Sequence, residues 1–92
     1  MSDSDKAKIY SISFTRSARK DLDNLDRAAV QRIRLAVDAL INDPRPYGYV
    51  KVKSEKGVFR IRVGEYRVGY EIDDAAQEVT VIRVAPRSEF YD

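Results

Sequence analysis

Residues 59–72 read Phe-Arg-Ile-Arg-Val-Gly-Glu-Tyr-Arg-Val-Gly-Tyr-Glu-Ile, and the fold is decided there. Phe59, Ile61 and Val63, then Tyr66, Val68, Tyr70 and Ile72, recur at every second position. That is the period of a strand with one face in the core and one in water. Gly64-Glu65 lies between the two runs, and a turn that short needs the positive φ that glycine supplies without steric strain. The stretch therefore predicts a β-hairpin, with Arg60, Arg62 and Arg67 projecting from its other face.

Working outward, Asp73–Gln77 reads as a second turn and Glu78–Ala85 as the last strand. Upstream, Val58 begins the first hairpin strand after a turn at Ser54–Gly57. Val50-Lys51-Val52-Lys53 alternates and starts the sheet, and Arg45–Tyr49 is a Pro- and Gly-rich loop. Before it, Val30, Ile33, Val37, Leu40 and Ile41 form the apolar stripe of a helix that Asp26 can cap. The helix is stopped at Asp43-Pro44, because the residue before proline is pushed out of the helical region. A shorter helix carries Ala18, Leu22 and Leu25 and is capped by Thr15. Lys8–Phe14 alternates as a first strand, with Tyr10, Ile12 and Phe14 on one side. The expected fold class is α+β: an N-terminal strand, a two-helix hairpin, then a three- to four-stranded antiparallel sheet with the helices on one face. The arginine face is expected to be open or partly covered.

The chain has 92 residues, 43% hydrophobic and 35% charged, which bounds it to one globular domain. Residues 8–92 make that domain, and residues 1–7 are expected to form a flexible tail. No apolar run approaches the roughly 20 residues that span a bilayer. The polar start does not read as a secretory signal, so a cytoplasmic location is expected. There is no cysteine and no histidine. Disulfides, thiolate chemistry, cysteine zinc sites and the usual neutral-pH base are thereby excluded. Any reaction must use Arg, Lys, Tyr, Asp, Glu, Ser or Thr, and none of the motifs calls for a metal or cofactor.

Net charge is only +2, and residues 50–92 hold eight Lys/Arg against eight Asp/Glu. Most of these acids fall in turns or at the terminus, whereas the arginines fall within strands. Segregation of that kind makes a local positive field that the total conceals. Arg87 and Tyr91 follow the last strand and extend the set. Guanidinium forks present paired donors to phosphate and never lose their charge, so the surface suits phosphate. Arginines that alternate with apolar residues are also the ordinary wet face of a sheet, which is the plainer reading of the pattern alone. Arg83 shares the surface and reads as structural or partner-facing; Tyr66 and Tyr70 fall in the apolar register and read as core.

The hairpin around Gly64-Glu65 with Arg67 after Tyr66, the strand ending Val84-Ala85-Pro86-Arg87, and the terminal Arg87-x-x-x-Tyr91 resemble the RelE/ParE toxin superfamily, most closely its RelE branch. The resemblance spans nearly the whole chain. It implies a RelE-like fold of the microbial ribonuclease type and the toxin of a type II toxin–antitoxin system, a ribosome-dependent endoribonuclease that cuts mRNA in the A site. By the same resemblance the catalytic roles fall on Arg60, Arg62, Arg67, Arg87 and Tyr91, with Lys51 and Lys53 as contacts to RNA or the ribosome. The partners implied are a RelB-like antitoxin, the ribosome and mRNA, with no membrane and no metal. The antitoxin is expected in the groove between the helix pair and the sheet edge, and Arg16, Arg19 and Lys20 offer a second contact to ribosomal RNA.

The chain departs from the family twice. Relatives often carry lysine where Arg60 or Arg62 stands, and Gly-His where this chain has Ala85-Pro86. The general acid and base are left open between Glu89 and Tyr91. Two other functions share this fold: a ParE-like inhibitor of DNA gyrase, and a degenerate member that only binds its antitoxin.

Overall fold

The computed structural model describes residues 9–90. The elements run in the order β1 (Ser11–Phe14), α1 (Arg16–Asp23), α2 (Arg27–Ala39), β2 (Val50–Lys51), β3 (Val58–Val63), β4 (Tyr66–Asp73) and β5 (Glu78–Pro86), followed by a 3₁₀ turn at Arg87–Glu89. Both helices begin at the expected caps. Thr15 Oγ1 accepts the Ala18 N–H at 3.1 Å, and Asp26 Oδ1 accepts the Ala29 N–H at 2.8 Å. Each satisfies one of the amides that a helix start leaves without a partner. Past Ala39 the chain stays wound, with the Leu40 to Asp43 amides bonded to carbonyls three or four residues back. Pro44 then ends the winding.

The β3–β4 hairpin pairs Val63 with Tyr66 across a two-residue turn, and Gly64 has φ +58°. A positive φ at the first of the two turn residues matches the right-handed twist of the flanking strands. Five strands form one sheet in the order β1-β5-β4-β3-β2. β2 through β5 are antiparallel neighbours, whereas β1 pairs parallel with β5, Ser11 opposite Glu78 through Phe14 opposite Val81. The sheet is therefore mixed and five-stranded, and the first strand closes against the last. Hairpin periodicity carries no signal for that pairing, because two helices and three strands separate the partners.

One face of the sheet packs on the helices. Ile33, Val37 and Leu40 of the helical stripe share a core with Ile61, Val68, Tyr70, Val79, Val81 and Val84, together with Tyr10 and Ala18. The opposite face has a smaller cluster of its own: Val52, Val58 and Phe90, with Ile82 and Ala85 against them. A register shift between Gly69 and Tyr70 explains how Ile82 comes to lie there. The bulge inserts one residue into β5, so Val81 and Val84 both reach the main core while Ile82 turns away. Simple alternation would have put Ile82 beside Val84.

The loop after α2 is pinned on several sides. Tyr70, fully buried, donates its hydroxyl to the Pro44 carbonyl at 2.7 Å. Arg45 clasps Asp74 at 2.9 and 3.2 Å and lies 5.6 Å from the centre of the Phe59 ring. Tyr10 donates to the same Asp74 carboxylate at 2.7 Å. Tyr70→Phe should lower stability by about 1–2 kcal/mol, since a buried carbonyl loses its donor, and the midpoint of urea unfolding measures it. Burial also raises the Tyr70 phenol above its ordinary value. Above pH of about 10 the unfolded chain sheds that proton while the folded chain keeps it, so stability falls as pH rises there. The Phe variant should lose part of that alkaline slope.

Candidate functional site

The register of β3 on β4 fixes the arginines. Ile61 opposes Val68 in the core, so the neighbouring pair Arg62 and Arg67 stand directly opposite each other on the face away from the helices. Like charges directly opposite each other on a sheet repel. Arg62 is exposed and Arg67 half-buried, and Nη1 of Arg67 is withdrawn from solvent. Two pairs further from the turn, and so on the same face, Val50, Arg60, Gly69 and Arg83 align across β2, β3, β4 and β5.

Arg83 is committed elsewhere. It binds the Glu55 carboxylate at 2.9 and 3.0 Å and lies 4.9 Å from the centre of the Phe90 ring. Its place is structural, one of the two expected for it.

Beyond β5 the chain turns back over this face. Arg67 opposes Ala85, and the Arg87 amide donates to the Glu65 carbonyl at 2.8 Å. Arg87 is exposed and is thus tethered by its backbone to the hairpin tip, beside the Arg62–Arg67 pair. Arg67 and Arg87 lie at the same end of the sheet. Arg32 of α2 reaches the tip as well, its guanidinium 3.8 Å from where a Cβ on Gly64 would stand. Phe90 then folds over Gly69: a Cβ at that glycine would stand 3.0 and 3.1 Å from the ring. A side chain at position 69 would make the ring give by a few tenths of an ångström. Among the described residues, Phe90 covers the middle of the arginine face, and Arg62 and Arg87 are exposed toward the hairpin tip.

The other candidate residues separate. Lys51 opposes Phe59, which puts it on the helix-side face, away from Arg60 and Arg62. Lys53 is exposed in the turn after β2. Glu89 borders a cleft of about 580 Å³ with Ser17, Asp21 and Asn24 of the α1 region and the outer edge of β5. That cleft lies where the helix pair meets the sheet edge, and Asp21 there accepts the Val84 N–H at 2.9 Å. Tyr91 lies outside the described residues. No helix among the described residues is long and apolar enough to cross a membrane.

Sequence reasoning missed Gly69 and Phe90 as a pair. Gly69 occupies a strand-interior position where a side chain is expected, and that anomaly was the available signal.

A family described as ParE toxin of type II toxin-antitoxin system, parDE, matches residues 12–91. Two toxins of Mycobacterium tuberculosis are similar over 83 residues, 89% of this chain: Toxin RelE at 32% identity, with 86% of its length covered, and Toxin RelG at 34%, with 95% covered. Among solved structures, the RelBE2 toxin–antitoxin complex of M. tuberculosis has a chain 27% identical with TM-score 0.74, covering 86% of this chain and 99% of its own. The archaeal RelE-RelB complex of Pyrococcus horikoshii OT3 matches in fold, at 23% identity and TM-score 0.76, covering 89% and 99%.

Proposed function

The chain belongs to the ParE toxin family, as a RelE-like toxin of a type II toxin–antitoxin system, and on that premise we propose that it is a metal-independent, ribosome-dependent endoribonuclease. In this reading it cuts mRNA in the A site and so halts translation in the cytoplasm. The observation that carries the reading is the opposed Arg62–Arg67 pair with Arg87 tethered at the same end of the sheet.

RNA brings its own nucleophile. The 2′-oxygen forms a bond to the adjacent phosphorus while the bond from phosphorus to the 5′-oxygen breaks. A cyclic phosphate and a free 5′-hydroxyl result. The 2′-hydroxyl loses one proton and the departing oxygen gains one, so the step needs no co-reactant. Negative charge grows on the non-bridging oxygens, and fixed guanidinium donors stabilise it in proportion to how little they must move. Arg67, half-buried and held by the sheet, suits that role, as does Arg87, held at the hairpin tip by its amide; Arg62 approaches from open solvent and suits capture of the strand. Arginine practically never releases its proton, so proton transfer falls to another group. Glu89 borders the cleft on the α1 side, which favours Tyr91, or groups of the ribosome and RNA.

A RelB-like antitoxin is the partner this reading implies. Mapping mRNA 5′ ends after adding purified protein to translating ribosomes should reveal new ends inside the A-site codon. A second reading has the family match in its favour, since that family takes its name from ParE: inhibition of DNA gyrase by binding. Loss of gyrase supercoiling with no new mRNA ends would establish it instead.

A further inference from the structure

Tyr47 is wholly exposed, at 107% of its reference area, yet the loop that bears it is tied down on both sides of it. On one side, the Pro44 carbonyl is held by Tyr70 and the Arg45 side chain by Asp74 and Phe59. On the other, the Tyr49 amide closes a turn onto the Pro46 carbonyl at 3.0 Å, and the Tyr49 ring meets Phe59 edge-on at 5.7 Å. Pro46 precedes Tyr47, and Gly48, with φ +92°, follows it. The turn is thus built to lift one aromatic ring out of the protein. An unburied ring gains nothing for the fold, and a rigid mount loses little entropy when something stacks on it.

Beside the ring lies a cleft of about 360 Å³ lined by Tyr47, Gly48, Val50, Arg60, Ile61 and Arg62. Its cationic wall is the arginine strand of the proposed site. β2 ends its pairing at Val50 opposite Arg60, so among the described residues no strand pairs with the outer edge of β3 at Arg62. Val63 closes the hairpin with Tyr66. Val63 and Ile61 therefore direct their backbone groups to β4, and Arg62 directs its own outward. An aromatic face, an open main-chain donor and acceptor, and a guanidinium surround one small space. Unpaired RNA is recognised by that combination: stacking for the base, hydrogen bonds for its edge, charge for its phosphate.

We infer that a nucleobase of the bound single strand stacks on Tyr47, so that the RNA path runs from the Arg62–Arg67 pair across the open edge of β3 to this loop. The inference deepens the RNA-cleavage reading and rests on its choice of RNA as ligand. It extends the contact surface beyond the scissile linkage to a neighbouring nucleotide.

The test is binding of a short 2′-O-methylated single-stranded oligoribonucleotide, which cannot undergo 2′-hydroxyl attack, followed by fluorescence anisotropy. Tyr47→Ala should weaken binding roughly 5- to 150-fold, the range seen for a single stacked base, and Tyr47→Phe should restore it. The salt dependence separates the two kinds of contact. Tyr47→Ala should leave the slope of log affinity against log salt unchanged, whereas Arg62→Ala should reduce it by about 0.7. An abasic position scanned along the strand should abolish the Tyr47→Ala penalty at one place. Undiminished affinity in Tyr47→Ala, a penalty that survives every abasic position, or no binding by the wild-type chain each overturns the inference. So does unchanged RNA affinity with loss of antitoxin binding, which would make Tyr47 a protein contact. Because binding is read without cleavage, absence of A-site cuts would reject the nuclease reading and leave this measurement interpretable.

Discussion

Arg87→Ala should slow A-site cleavage by about 10²–10³-fold, the loss expected when one fixed donor to a developing oxyanion is removed, while unfolding in urea stays unchanged. The two halves of that expectation have separate grounds. The Arg87 side chain is exposed, so its truncation removes no core packing. What holds this residue in place is its amide, bonded to the Glu65 carbonyl, and alanine keeps that bond. Arg87→Lys tests the chemistry more finely: it preserves the charge and loses the planar fork, so an intermediate rate is expected. Arg67→Ala should lower the rate at least as far but makes a poorer probe. Arg67 is half-buried, with Nη1 withdrawn from solvent, so stability should shift together with the rate. Cleavage at the wild-type rate by Arg87→Ala would remove the C-terminal arginine from the mechanism.

Local rules were enough for most elements, and the reason is visible in the residues. Thr15 and Asp26 cap helices through atoms three residues away, and Gly64 turns a hairpin by its own φ. Strand alternation from Phe59 to Ile72 fixed which arginines share a face, because register in a hairpin follows from the turn. Three features were illegible for the opposite reason. The parallel pairing of β1 with β5 joins residues more than sixty positions apart. The bulge at Gly69/Tyr70 changes the face of Ile82 without any marker in β5 itself. The return of the chain end over Gly69 depends on a cluster assembled from Val52, Val58, Ile82 and Ala85, which no single window contains. A reading by alternation also assigned Lys51 to the sheet but could not tell its face, since the β2–β3 connection is not a tight hairpin. The pairing of Lys51 with Phe59 decides it.

That return of the chain sets up the second large effect. Phe90→Ala should undock the chain end and take activity with it. Truncating a buried phenylalanine typically removes about 3–5 kcal/mol, a large share of the roughly 5–14 kcal/mol that a chain of this length holds in total. Here the loss need not unfold the domain, because Phe90 belongs to the smaller cluster and not to the helix-side core. Local release of the end is the easier route. Hydrogen exchange should therefore show the Arg87 amide losing protection while Val68 and Val81 in the main core keep theirs. Cleavage should fall with it, since Arg87 stands three residues from the lost anchor. Gly69→Ala approaches the same contact from below, placing a methyl 3.0 Å from the ring, and should loosen the end in the same way. If Gly69 and Phe90 act through this one contact, the double variant should be little worse than Phe90→Ala alone. A Phe90→Ala protein with full cleavage and a protected Arg87 amide would show that something other than this ring holds the chain end, and the two single variants would then add.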